Sequence, residues 1–364
     1  MNNMNKKINI LFLCATQPTN FGDLLINKLL IDELSNYGNV YIDSEGVPEN
    51  FKKYLFCNSN IYCANQRFGS SLKRISVIKF IFKIKFQFTY FFKSPGPHSG
   101  INNFKSFINQ IALSLIYIVL YSKGIRLNIL GCDVHLNNKL EITVERNNNN
   151  FFHSYMVRSK ENLKMLKYYG FKKMGYIPDI AFLQYKNIIH KTPERKILIS
   201  FRDISDQESS YQLFSFVKKS VSFFASKGYS IYFRYQVKED ELYNYELFNA
   251  VKDEGVFFEN RIIWMDDIDC YNEYEFILSN RLHVLLLGAL YHSIPIGYMG
   301  ESYKTLKIES IFNSIGLNKY LFKNDEFPDY ESYLANKDYL LIELEDICKF
   351  NYQKCKEQIG CLFN

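Results

Sequence analysis

Twice along this chain a short apolar run of strand formers passes through a polar loop into a segment of helical period, and this succession constrains the fold more than any other feature. Ile8 to Ala15 leads through TQPTNFGD into LLINKLLIDEL; after Lys191, KILISFRDIS leads to SFVKKSVSFFASKG and then to YSIYFRYQV. Apolar runs without alternation belong to strands covered on both faces, so each succession predicts a parallel sheet flanked by helices. At 364 residues the chain exceeds what one hydrophobic core serves, about 150 residues per domain. Two domains are expected, at 1–190 and 191–330, followed by a helical tail at 331–364. The junction is placed in the polar stretch KNIIHKTPER (186–195), where Pro193 interrupts the pattern. VRSKENLKMLKYYGF (157–171) reads as a helix ended by Gly170, and NNNN (147–150) as a polar loop.

Several classes are excluded or disfavoured. The longest apolar stretch, Ile111 to Tyr121, is about half of the roughly 18 residues a membrane-spanning helix needs. MNNMNKKINILFLCATQ imitates a signal peptide, but its apolar run is short and Leu13, not a small residue, precedes Cys14; it is read as the first buried strand. Eight scattered cysteines include no CxxC pair, so neither a zinc site nor a disulfide framework is signalled, and reduced thiols in a cytoplasmic protein are expected. No cluster of His, Asp and Glu has metal-ligand spacing; no metal and no cofactor are expected. A net charge of +6 suits anionic small molecules or an anionic membrane face, and no nucleic-acid motif is present. SLKRISVIKFIFKIKFQFTYFFK (71–93) has six Lys or Arg residues and no acid. It reads either as an aromatic core element with snorkelling lysines or as a patch resting on the inner face of the cell membrane.

The chemistry concentrates in SNRLHVLLLGALYHSIPIGYM (279–299). Ser279 or Asn280 is a natural N-cap, which puts Arg281 and His283 in the first turn of a helix that is apolar on nearly all sides. Unpaired N–H groups and the positive end of the helix dipole favour an anion there, and arginine adds a fork that fits phosphate or carboxylate. His283 could donate a hydrogen bond or act as a general acid. Taken alone, the pair reads sooner as a surface ion-pair arginine and a satisfied core histidine. Asp23 in NFGD reads as a helix cap or as a general base, with Gly22 permitting close backbone approach. Gln236 and Arg234 fall at a strand end, where open α/β sheets place ligand contacts.

The order Arg281, His283, Pro295 and Lys304 resembles the C-terminal signature of the polysaccharide pyruvyl transferase family. NFGD (20–23), VRSKENLKMLKYYG (157–170), PDIAF (178–182) and ISFR (199–202) follow in the family's order, so the likeness spans most of the chain. It departs at FKSPGPHSG (92–100), where relatives have a run of glycines, and at GCDVH (131–135), which lacks their glycine-proline ending; both loops are expected to face the acceptor. The resemblance implies an α/β, GT-B-like fold with two Rossmann-like domains and the active site in the interdomain cleft, the N-terminal domain on the acceptor side and the C-terminal domain binding the donor. It implies transfer of a pyruvyl group from phosphoenolpyruvate to a sugar diol of a bacterial-type surface polysaccharide or its lipid-linked precursor, giving a cyclic ketal and phosphate. Arg202, Arg281, Lys304 and Gln236 are then candidates for donor binding. His283 and Asp23 are candidates for catalysis, and Asn20, Gly22 and His98 for acceptor contact. A GT-B glycosyltransferase using a nucleotide sugar would use the same cationic helix start, and a non-catalytic polysaccharide-assembly scaffold would not need it.

Overall fold

A computed structural model of the protein describes residues 8–15, 20–69, 71–72, 88–98, 103–188, 194–204, 206–253, 255–300, 303–323 and 326–364, with backbone alone at 104–105 and 303–305. Most of the basic stretch 71–93, namely 73–87, therefore lies outside the described residues, as does the side chain of Lys304.

The described residues form two compact units. One gathers those within Met1–Pro18, Asp23–Ile180 and Lys356–Asn364, and the other those within Thr19–Gly22 and Ala181–Cys355. The first unit is built on β1 (Asn9–Leu13), β2 (Asn39–Asp43), β3 (Ile61–Cys63), β4 (Tyr90–Lys93), β5 (Gly96–His98), β6 (Arg126–Val134), β7 (Phe152–Val157) and β8 (Met174–Tyr176). Their order is β3-β2-β1-β4-β6-β7-β8, with β5 beside β6, and every pairing is parallel. Parallel strands need helical crossovers, and these cover both faces; hence successive residues Ile10, Leu11 and Phe12 are all buried rather than alternating. One face packs Leu11, Phe91, Leu127, Ile129, Tyr155 and Val157 into a single core under the helix Phe104–Ser122.

Three of the sequence blocks meet inside this unit. Arg158, directly after β7, is fully buried; its Nε donates to Asp133 Oδ2 at 2.8 Å and its Nη1 to Asp179 Oδ2 at 2.6 Å. Burial works against the guanidinium's charge, but the two carboxylates outweigh it and hold its pKa above the ordinary arginine value. GCDVH, VRSKENLK and PDIAF thus supply one buried ion triad.

The asparagine run departs from expectation. Asn147–Asn149 close the helix Lys139–Asn149, and Asn148 and Asn149 are buried. Asn149 Oδ1 accepts the N–H groups of Lys172 and Lys173 at 3.0 and 2.9 Å, so a polar side chain replaces a missing backbone partner and is drawn inside. The helix in 157–171 runs Lys160–Tyr168 with Ser159 as N-cap, and Gly170 follows at φ +81°, a backbone that only glycine adopts without strain.

The second unit has β9 (Lys196–Ser200), β10 (Ser230–Tyr235), β11 (Val256–Ile262), β12 (Phe276–Ser279), β13 (Ile294–Met299) and β14 (Leu321–Lys323), in the order β11-β10-β9-β12-β13-β14 and parallel throughout. The winding starts at β9, runs outward to β11, then resumes on the other side at β12. Direction therefore reverses between β9 and β12, the place where a doubly wound sheet opens a crevice beyond its strand ends.

Candidate functional site

The two arginines singled out in the sequence leave the sheet at that reversal. β9 and β12 are in register with Ser200 opposite Ser279, and each strand runs two residues further to Arg202 and Arg281 respectively. Backbone after a strand end has no ladder to satisfy it, and here two asparagines do so. Asn280 Nδ2 donates to the Arg202 carbonyl at 2.9 Å while its Oδ1 accepts the Arg202 N–H at 2.7 Å. Asn244 binds Phe201 in the same way, at 2.7 and 2.9 Å. The segment carrying Arg202 is thereby clamped residue by residue.

These contacts correct the expected cap. Neither Ser279 nor Asn280 caps the following helix: Ser279 Oγ donates to the Ser200 carbonyl and accepts the Arg281 N–H at 2.9 Å, and Asn280 is engaged with Arg202. The helix Leu282–Leu290 has Arg281 itself at the N-cap, with no side-chain cap, and every residue from Val284 to Leu290 is buried. Its start is set by tying two strand ends together, a requirement stronger than one capping bond.

Arg281 ion-pairs through Nη2 with the buried Asp240, while Arg281 Nε, Asp240 Oδ2 and Ser200 Oγ are buried without partners among the described residues. Burial raises the Asp240 carboxyl, against the opposing pull of Arg281 and Arg202. The Arg202 guanidinium donates no hydrogen bond to the described residues and forms no ion pair with them. Burial first, and the like charge of Arg281 second, pull it down to about 10, so it stays charged at neutral pH but is costly to hold. Two guanidiniums share one carboxylate. The surplus positive charge at two strand ends is suited to an anion.

His283, the second residue of the helix, is half-buried against Gly22. A Cβ on Gly22 would lie 2.0 Å from His283 Nδ1 and 2.8 Å from Cε1, so the NFGD glycine is a packing requirement of the imidazole. Gly22→Ala is expected to shift the ring and to cost about 1–3 kcal/mol, the usual range for overpacking; thermal unfolding checks the cost, and the His283 imidazole resonances the shift. Asn20 Oδ1 accepts the Gly22 N–H at 3.0 Å, so Asn20 caps the helix Phe21–Ser35. Asp23, expected to precede that helix, is inside its first turn and half-buried.

The other candidates fall elsewhere. Gln236 follows β10, buried, with Nε2 donating to Tyr271 Oη at 2.7 Å, and the neighbouring Arg234 ion-pairs with Asp267 and Glu259. Lys304 lies in the helix Tyr303–Ile315, its side chain outside the described residues. His98, in the first unit, is buried between Lys93 Nζ (3.0 Å from Nδ1) and Glu145 Oε1 (3.3 Å from Nε2). Asp240, Asn244 and the clamping role of Asn280 were not anticipated; their partners lie 41, 43 and 78 residues away in the chain. Among the described residues no group of three or more His, Cys, Asp or Glu side chains could hold a metal ion, and all eight cysteines are free.

A family model described as polysaccharide pyruvyl transferase matches residues 20–292, three quarters of the chain. Among solved structures, UDP-GlcNAc 2-epimerase from Neisseria meningitidis bound to UDP-GlcNAc is similar at a TM-score of 0.57 and 9% identity, covering 98% of this chain and 100% of that one. Staphylococcus aureus MnaA with UDP gives 0.52 at 10% identity, covering 96% and 91%. Anabaena HepE in complex with UDP and glucose gives 0.51 at 10% identity, covering 97% and 98%. At such identities the likeness establishes the fold alone, which is α/β and GT-B-like with two Rossmann-like domains. No curated protein matches the sequence.

Proposed function

The chain belongs to the polysaccharide pyruvyl transferase family, and from that premise we propose that it moves a pyruvyl group from phosphoenolpyruvate to two hydroxyls of a glycan or lipid-linked sugar, forming a cyclic ketal and releasing phosphate. The observation that supports the donor assignment is the partly desolvated Arg202 guanidinium, without a hydrogen-bond or ion-pair partner among the described residues, beside the Arg281–Asp240 pair. Phosphoenolpyruvate carries a phosphate and a carboxylate. One anion supplies the partner Arg202 lacks; the other meets Arg281, whose charge Asp240 only partly offsets, and Lys304 is the third candidate cation.

In this reading His283 delivers a proton to the methylene carbon of the donor, whose π electrons form the new C–H bond and leave an oxocarbenium-like carbon. One sugar hydroxyl attacks that carbon and loses its proton, with Asp23 the candidate base. The C–O bond to phosphate then breaks with its electron pair on phosphate, and the second hydroxyl closes the ketal, its proton passing to the departing phosphate. Cations fixed at clamped strand ends stabilise the departing phosphate without reorganising. Gln236 is bound to Tyr271 and is assigned no direct donor contact.

The test is phosphate release from phosphoenolpyruvate across a panel of glycan acceptors, with the product mass measured. A mass gain equal to a pyruvate ketal, reduced about a hundredfold or more in His283→Ala, is the expected result. Stabilisation by a nucleotide sugar with none by phosphoenolpyruvate would instead assign the chain to nucleotide-sugar chemistry.

A further inference from the structure

The helix Phe104–Ser122 presents apolar residues on two faces. Ile116, Tyr117 and Leu120 face the core, as any packed helix requires. The opposite face should be polar, yet Ile108, Ile111, Leu115, Ile118 and Tyr121 are 41–58% exposed there. Their spacing keeps them on one stripe about 20 Å long. No charged residue occurs between Ser106 and Ser122, and Lys105 and Lys123 bracket the stripe.

A second observation concerns charge. From Asn50 to Cys132 the sequence contains no Asp or Glu and twelve Lys or Arg residues, so the rest of the chain is net acidic although the whole is +6. The apolar stripe lies within this acid-free run.

We propose that the exposed face of the Phe104–Ser122 helix docks on an anionic lipid bilayer, lying in the interface without crossing it. No helix among the described residues is long and apolar enough to cross a membrane. Apolar side chains enter the acyl boundary while the lysines at the two ends of the helix, Lys105 and Lys123, meet lipid phosphates, the two contributions that hold interfacial helices. A second copy of the chain is the competing occupant, and charge argues against it: pairing would bring together two helices that carry no acid and are bracketed by lysines, whereas an anionic bilayer attracts those lysines. The proposal does not depend on which reaction the protein catalyses.

The full-length protein is sedimented with vesicles of phosphatidylcholine alone and of phosphatidylcholine mixed with phosphatidylglycerol. Binding is expected only to the mixed vesicles and should weaken as salt is raised. The double substitution Leu115→Glu, Ile118→Glu is expected to lower the bound fraction about tenfold. Tyr339→Glu, on an exposed apolar position of the helix Lys337–Gly360, should bind like the parent. Leu115→Trp gives a direct reading, a blue shift of its emission on adding mixed vesicles. Equal binding to both compositions, full binding by the double variant, or no shift from Leu115→Trp would overturn the proposal. So would a lipid-free dimer that the double variant dissociates.

Discussion

Arg158→Ala is expected to destabilise the protein by about 3–5 kcal/mol, the largest stability change of any single substitution considered. The guanidinium is fully buried and is the cation shared by Asp133 and Asp179. Removing it deprives two buried carboxylates of the cation they share. That penalty greatly exceeds the lost packing of a side chain. The mechanism makes a further demand: Asp133→Asn and Asp179→Asn in the Arg158→Ala background should recover part of the loss, because they remove the stranded charges. Protonating a stranded carboxylate has the same effect, so the gap between variant and parent should narrow as pH falls. Urea unfolding followed by circular dichroism, at neutral and acid pH, measures both. A loss below about 1 kcal/mol, or one that the asparagine substitutions deepen, would show that the triad does not hold the first unit in this way.

The same triad shows what the sequence could and could not disclose. β1 and β9 were legible because strands buried on both faces are unbroken apolar runs. β3, β8 and β14 have three residues each and are only partly buried, too short for any period to register. The blocks GCDVH, VRSKENLK and PDIAF stood out individually, but nothing in their order said that one arginine and two aspartates would meet. The asparagine run misled because composition cannot say whether an amide faces water or an orphaned N–H. At the candidate site, Arg281 could be found because a cation at the start of an apolar helix is a local signal, and Arg202 because it ends a block in the family's order. Asp240, Asn244 and Asn280 act on backbone or charge far along the chain, and their role exists only once the sheet has brought β9 and β12 side by side.

Those distant partners decide the second large effect. Arg202→Met is expected to lower kcat/KM for phosphate release from phosphoenolpyruvate by about a thousandfold or more, as for loss of a fixed electrostatic contact to departing charge. The ligand-free protein should not lose stability with it. Arg202 is a partly desolvated cation beside Arg281 with no anion of its own among the described residues, so an apolar side chain removes an electrostatic cost; its backbone clamps to Asn280 remain, and Asn244 still holds Phe201. Arg281→Met differs in sign, because it strands the buried Asp240 carboxylate and should destabilise the apo protein as well. Thermal unfolding with and without phosphoenolpyruvate separates the two: Arg202→Met should keep or raise the ligand-free Tm while losing the donor-induced rise, and Arg281→Met should lower the first. An Arg202→Met protein that turns over at the parent rate, or that phosphoenolpyruvate still stabilises fully, would mean that the donor's anions are held elsewhere and that this strand-end cation serves only the fold.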